Sequence, residues 1–366
     1  MTTNEDFRSR LCHVLVKDRL AHMEIELLTI KSVRALSRHP WKGGKRLRPI
    51  MFLLSYLSEC AAAGRPTDPL GREIQLAAAL ELMHEASLVH DDLVDRSEIR
   101  RGEPTVQITN GAGRALLMGD YMVFRALKLV LDSATSARDI QLAQGLADTA
   151  LDIAHGQLQQ LEHFLEEKDP NRRMALEPYL EIIGKKTAMF FAGCCEGGAA
   201  LAGVGQEGRM QHYRFGLELG LVFQMLDDLI DVLGDPAVAA KSLDNNIDEG
   251  TMTLPFIHAY QLFPERAPLR RLAEGQTLAA AERAEVLDLV RSRLVVAECR
   301  GTIQRAANAA MKAWSNLPTN IFATGLFDVL DYVCGGSWGG VPDLGIDLVR
   351  PRRKARASRR LTSHVA

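Results

Sequence analysis

Apolar residues recur every three or four positions over long stretches of this chain. The spacing predicts helices over 72–95, 115–133, 140–166, 178–203 and 208–233, the first of them rich in Ala, Leu and Glu. Strand signals are scarce: β-branched alternating runs are few, and no Asn-Gly hairpin joins two of them. Breakers fall where these helices should end, at Pro40 to Gly44, Gly64 to Gly71, Gly111 to Gly113, Asp169-Pro170, Asp235-Pro236 and Pro264. No repeat of solenoid period and no dividing linker interrupts the pattern. The predicted fold is therefore all-α, a single large multi-helix bundle over residues 1–335. A shorter, less regular C-terminal extension, 336–366, should follow, disordered at its basic end.

Composition narrows this further. With 47% hydrophobic and 25% charged residues in 366, the chain has enough apolar surface to collapse, which excludes a disordered protein. Six cysteines, two of them the adjacent Cys194 and Cys195, are too few for a disulfide scaffold and fit a reducing, cytoplasmic setting. The segment MTTNEDFRSRLCHVLVKDRL lacks a basic stretch leading into an apolar one, so no secretory leader is expected. No apolar run reaches the roughly 18 residues of a membrane span. Charge is unevenly placed. Seven basic and no acidic side chains lie from Arg350 to the end, which leaves −9 on residues 1–349 against −2 for the whole chain. A body that acidic is a poor binder of nucleic acid. The tail RPRRKARASRR is read as a solvated end, with contact to RNA or to an anionic membrane surface as the alternative.

The informative residues are carboxylates. LVHDDLVD at 88–95 and QMLDDLID at 224–231 are both Asp-Asp-x-x-Asp, each closing an apolar helix. Residues four apart share a helix face, so Asp91 stands over Asp95 and Asp227 over Asp231. Like charges at that spacing repel, and two such clusters call for a compensating cation. Oxygen ligands without nearby cysteine favour Mg²⁺, Mn²⁺ or Ca²⁺ over zinc. Because Mg²⁺ takes one or two carboxylates and fills its octahedron with phosphate oxygens and water, two facing clusters would clamp a diphosphate. Basic groups accompany them: Lys45, Arg46 and Arg48 after a glycine pair, Arg100 and Arg101 ahead of Gly102, then Lys186-Thr187 and Lys241. Guanidinium forks match phosphate oxygens bidentately.

In chain order GGKRLRP (43–49), ELMHEASLVHDDLVD (81–95), RRGEPT (100–105), GD (119–120), GQ (156–157), KT (186–187), FQMLDDLID (223–231) and TLP (253–255) resemble the trans-isoprenyl diphosphate synthase, or polyprenyl synthetase, family. The resemblance covers roughly residues 40 to 260 and implies an all-α bundle around a central active-site cavity. It implies Lys45, Arg48, His84 and Arg101 as ligands of isopentenyl diphosphate. It assigns the allylic diphosphate to Arg100, Lys186, Thr187, Gln224 and Lys241. Mg²⁺, several ions per site with Mn²⁺ able to substitute, would be bridged by Asp91, Asp95 and Asp227, with Asp92, Asp228 and Asp231 in support. The implied reaction is ionisation of the allylic C–O bond, condensation and proton loss, giving an all-trans polyprenyl diphosphate in a dry apolar cavity. Homodimers are common in the family, and one is expected here.

The sequence also departs from the family. Gly250-Thr251-Met252-Thr253-Leu254-Pro255 has threonine where relatives often have lysine, and Ala240 precedes Lys241 where glycine is common. Product length in the family depends on side chains before the first cluster. Ala86 and Ser87 are small there, pointing to geranylgeranyl or longer products; Met83 and Leu82 lie a turn deeper, and Tyr121, Met122 and Phe124 offer a floor. Three other readings compete: a terpene cyclase, a non-catalytic subunit of a heteromeric synthase, and a di-iron bundle built on Glu81-x-x-His84. The last lacks a second Glu-x-x-His among ten histidines.

Overall fold

Helix α1 (Leu47–Ala62) buries Leu47, Ile50, Met51, Phe52, Leu53, Leu54 and Leu57, and a helix apolar on all sides belongs at the centre of a bundle. In the computed structural model, which describes residues 19–24, 44–65, 71–132, 134–234, 247, 251–335 and 344–348, that is where it lies. It is followed by α2 (Arg72–Val94), a two-stranded hairpin (β1 Ile99–Arg100, β2 Glu103–Pro104), α3 (Val106–Asn110) and α4 (Ala112–Asp132). Next come α5 (Ala137–Glu166), the short α6 (Pro170–Arg173), α7 (Leu176–Ile183), α8 (Met189–Leu201) and α9 (Gln206–Leu233). The chain continues through α10 (Leu254–Leu262), α11 (Ala267–Ala273), α12 (Ala280–Val290), α13 (Arg293–Trp314) and α14 (Ile321–Gly335). The all-α expectation holds, and among the described residues the only sheet is the hairpin.

Helix α8 packs against α1, α5 and α9; α2 packs on α4, and α9 on α13. Its buried residues include Phe190, Phe191, Cys194 and Cys195, so α8 forms the middle of the bundle. One helix expected from the sequence is interrupted. Residues 178–203 form α7 and α8, separated by a π-helical turn, Gly184–Ala188. Such turns insert an extra residue into a helix and concentrate at functional positions. Helix α5 presses on this one closely: a Cβ on Gly156 would lie 2.6 Å from the Lys186 backbone nitrogen.

The RRGE segment, which lies between two expected helices, is the hairpin. Arg101 and Gly102 take φ of 54° and 82°, the left-handed pair that closes a two-residue turn with the twist of its strands. Arg46, which precedes α1, is left-handed too, at φ 55°. Of the C-terminal extension, residues 344–348 dock on α13: Gln304 Nε2 donates to the Asp347 carbonyl at 2.7 Å, and the Asp347 amide returns a bond to Gln304 Oε1 at 2.9 Å. The basic tail lies outside the described residues. Among the described residues no helix is long and apolar enough to cross a membrane.

Candidate active site

Each aspartate cluster closes a long helix. Asp91 and Asp92 lie in the last turn of α2 with Asp95 as its C-cap, and Asp227, Asp228 and Asp231 occupy the last two turns of α9. A helix C-terminus already carries negative partial charge, so six carboxylates there deepen the need for cations. The two ends meet. Asp91, Asp95 and Asp227 line one cavity of about 450 Å³, together with Lys45, Arg48, Arg100, Arg101 and Lys186. Its apolar walls include Leu88, Ile153, Phe190 and Phe223.

Not every aspartate is offered to this cavity. Asp92 is buried and accepts from Arg100 Nε at 2.7 Å. Burial raises its pKa, Arg100 opposes that rise, and Asp91 and Asp95 add to it. Asp228 is likewise buried: Tyr179 donates to its Oδ2 at 2.7 Å and Gln224 Nε2 to its Oδ1 at 2.8 Å. Thr187 Oγ1 in turn donates to Gln224 Oε1 at 2.8 Å. Asp227 is exposed, and Asp231 lines a side cavity of about 100 Å³ with Asp227, Lys186, Thr187, Thr251 and Thr253. Lys186 Nζ sits 3.8 Å from Asp91 Oδ1 and donates to Gln160 Oε1 at 3.2 Å.

The opposite wall is a set of anion donors. Arg48 lies over the rings of Phe190 and Phe191, 4.9 and 4.5 Å from their centroids, and its Nη1 is 3.1 Å from His84 Nε2. A guanidinium can only donate, so His84 Nε2 accepts and the ring proton is assigned to Nδ1. Burial and then Arg48 hold the His84 pKa well below the usual histidine range, which agrees with a neutral ring. His84 Nδ1 and Arg48 Nε are buried without a hydrogen-bond partner. Two buried donors left unpaired cost free energy that an incoming anion would recover. Burial lowers the Lys45 pKa to about 8, against the pull of Asp227 and with the push of Arg101.

Some sequence candidates are already engaged or lie elsewhere. Arg46, although it too lines the main cavity, is taken up by carboxylates, pairing with buried Glu81 at 2.5 Å and with Glu85 at 3.4 Å. Glu81 is thus taken by Arg46 and His84 by Arg48, which removes the di-iron reading. Among the described residues no three His, Cys, Asp or Glu side chains converge to hold a metal by themselves. A divalent ion between the clusters therefore needs outside oxygens, as a diphosphate supplies, and the hard carboxylate donors suit one. Ala86 and Met83 are fully buried in the packing of α2, while Ser87 lines the main cavity with its hydroxyl on the His84 carbonyl at 2.8 Å. Tyr121 and Phe124 are exposed and form no floor; Met122 is buried. Lys241 lies outside the described residues. Tyr179, Gln160 and Phe190 were not singled out in the sequence, where an isolated Tyr, Gln or Phe on a helix carries no signal.

A family model for polyprenyl synthetase matches residues 30–290. The all-trans-nonaprenyl-diphosphate synthase (geranyl-diphosphate specific) of Rhodobacter capsulatus is 33% identical over 301 residues, covering 81% of this chain and 87% of that protein. Component 2 of the heptaprenyl diphosphate synthase of Geobacillus stearothermophilus is 31% identical over 278 residues, 76% of this chain and 81% of its own. The crystal structure of a polyprenyl synthase from Caulobacter crescentus CB15, complexed with calcium and isoprenyl diphosphate, superposes with a TM-score of 0.76 at 28% identity over 87% of this chain and 95% of that one. Matches of that span, on two aspartate-tipped helices facing a basic wall, settle the kinship: this chain belongs to the polyprenyl synthetase family of trans-isoprenyl diphosphate synthases and is a transferase.

Proposed function

We propose that the protein condenses isopentenyl diphosphate with an allylic diphosphate, giving an all-trans polyprenyl diphosphate of geranylgeranyl length or longer. One observation carries this reading: Asp91, Asp95 and Asp227 share a cavity with the unpaired donors of Arg48 and His84, so it can hold two diphosphates at opposite walls. Lys45, Arg48, His84 and Arg101 would grip isopentenyl diphosphate; Arg100, Lys186, Thr187, Gln224 and, by family resemblance, Lys241 would grip the allylic partner. Mg²⁺, or Mn²⁺ in its place, held by Asp91, Asp95 and Asp227, would supply charge stabilisation to the leaving diphosphate. The solved relative from Caulobacter crescentus holds calcium and isoprenyl diphosphate together, which supports a divalent ion here.

The allylic C–O bond breaks with its electron pair leaving on the diphosphate, and Lys186 and Arg100 meet the growing negative charge. The terminal double bond of isopentenyl diphosphate then attacks the allylic carbon. A proton leaves the resulting cation for the departed diphosphate, so no protein nucleophile is consumed. Leu88, Phe190 and Phe223 keep water from the cation.

Length is supported by a second cavity of about 180 Å³, deeper along α2, lined by Leu76, Leu80, Leu142, Leu146 and Phe52 and also by the charged Asp148, Asp152, Glu196 and Arg209. Leu80 precedes Ser87 by seven residues of α2, so this second cavity starts about 10 Å farther from the aspartates at the usual helical rise. A homodimer is supported by the apolar outer face of α4 and α5, where Leu117, Phe124 and Leu151 are 69%, 69% and 68% exposed. The Geobacillus stearothermophilus relative is named as a component, which makes a heteromer the second assembly reading. The described cysteines are free and buried, in keeping with a cytoplasmic enzyme.

Incubation of the purified protein with Mg²⁺, labelled isopentenyl diphosphate and a geranyl or farnesyl primer tests the reading. Products longer than farnesyl are expected, and their loss in Asp91→Ala and Asp227→Ala. Hydrocarbon or alcohol released from the allylic substrate alone would mark a cyclase; absence of product without an added second chain would mark a non-catalytic subunit. Farnesyl diphosphate as sole product would refute the length.

A further inference from the structure

The second aspartate cluster contains a carboxylate whose two oxygens are both engaged. Tyr179 of α7 is buried and donates to Asp228 Oδ2 at 2.7 Å, while Gln224 donates to Oδ1 at 2.8 Å. The bonds of this set run in one consistent direction: the Gln224 nitrogen is assigned toward Asp228, which leaves its carbonyl to accept from Thr187 at 2.8 Å. An ionised carboxylate, which only accepts, suits a tyrosine hydroxyl and an amide nitrogen that both give to it. Burial and then Asp228 hold the Tyr179 phenol well above its ordinary range, so it stays a donor at any working pH. Asp228 thereby ties three elements together: α7 through Tyr179, α9 through Gln224, and the π turn through Thr187.

We propose that Tyr179 is a positioning residue of the metal site: its hydroxyl holds Asp228 away from the divalent ions, leaving Asp227 to face the cavity. Resting on the synthase reading above, this divides the second cluster into a metal-facing member and an anchored one. Without the hydroxyl, a buried carboxylate loses this donor at Oδ2, next to the like charge of Asp227. A side chain so placed relieves its cost by turning toward the ions, which disturbs the metal site. The linkage runs through Gln224 to Thr187, so the disturbance falls on the allylic diphosphate and not on the Arg48 and His84 wall.

Tyr179→Phe tests this. A hydrogen bond to a charged group is worth about 1.5–3 kcal/mol, so the Mg²⁺ concentration for half-maximal rate should rise about tenfold or more, with the KM for isopentenyl diphosphate unchanged. Asp228→Asn should raise the Mg²⁺ requirement in the same direction, and adding Tyr179→Phe to it should raise it no further. An unchanged Mg²⁺ requirement in Tyr179→Phe, or equal losses on both substrates, would overturn the inference. So would full additivity of the two substitutions. Calorimetry with magnesium and inorganic pyrophosphate separates the two readings. Weaker binding by Tyr179→Phe upholds the inference even if the wild-type protein forms no prenyl product; unaltered binding overturns it.

Discussion

Replacing Arg48 by Met removes the charge and the fork but keeps an unbranched stem for the faces of Phe190 and Phe191, which lie 4.9 and 4.5 Å from the guanidinium. Two things are lost. The unpaired Nε–H is no longer available to an anion, and His84 Nε2 loses the donor 3.1 Å away that fixes its tautomer. Once released, the ring can carry its proton on either nitrogen, so the Nδ1–H donor is held only part of the time. Losing one charge-assisted bond costs about 1.5–3 kcal/mol, which predicts a rise of roughly 10- to 100-fold in KM for isopentenyl diphosphate. The KM for the allylic substrate and the rate at saturation should hold, since the proposed ionisation takes place at the opposite wall. Steady-state kinetics with each substrate varied in turn measures both. The melting temperature should not fall, because a desolvated cation is being removed. Equal increases in both KM values, or no change in that for isopentenyl diphosphate, would refute the assignment of the two walls.

Three further outcomes follow from the geometry. Lys45 has its pKa lowered to about 8, so isopentenyl diphosphate affinity should weaken as pH rises past that value, and Lys45→Met should abolish this limb of the KM–pH profile. The unfolded lysine titrates near 10.5; between the two values the unfolded chain binds the extra proton, and this group makes stability rise with pH. A Cβ on Gly197 meets the Phe52 ring at an ordinary 3.7 Å inside the second cavity, so Gly197→Leu should fold and shift products toward shorter chains on reversed-phase analysis. Arg46→Met strands Glu81, 1% exposed, as a buried unpaired charge, at a cost of about 3–5 kcal/mol in urea denaturation that Glu81→Gln in the same chain should partly restore.

Much of this was legible in the sequence because period and punctuation are local. Helices α2, α4, α5 and α9 begin and end within a few residues of their expected bounds, since breakers such as Gly71 and Asp169-Pro170 act on their own neighbours. The paired aspartates were legible for the same reason: four residues apart is one helix face. What was not legible depends on distant partners. Gly184–Ala188 has ordinary helical composition, and its π geometry appears where α5 presses on it. Arg46 and Arg48 are two residues apart in one basic motif. Both line the cavity, and only the approach of α2 decides that the first neutralises Glu81 while the second keeps an unpaired Nε–H. Tyr121 and Phe124 look like core in the sequence, yet stand on the outer face of α4.

Gly156 makes a different point about where selection acts in such a protein. It carries no functional group, yet a methyl at that position would push directly on the peptide that carries Lys186. The reach of the lysine into the cavity is thus metered by the thickness of a neighbouring backbone. A single-carbon addition on one helix would be felt as a misplaced ammonium on another, a spacing error invisible to any inventory of reactive groups.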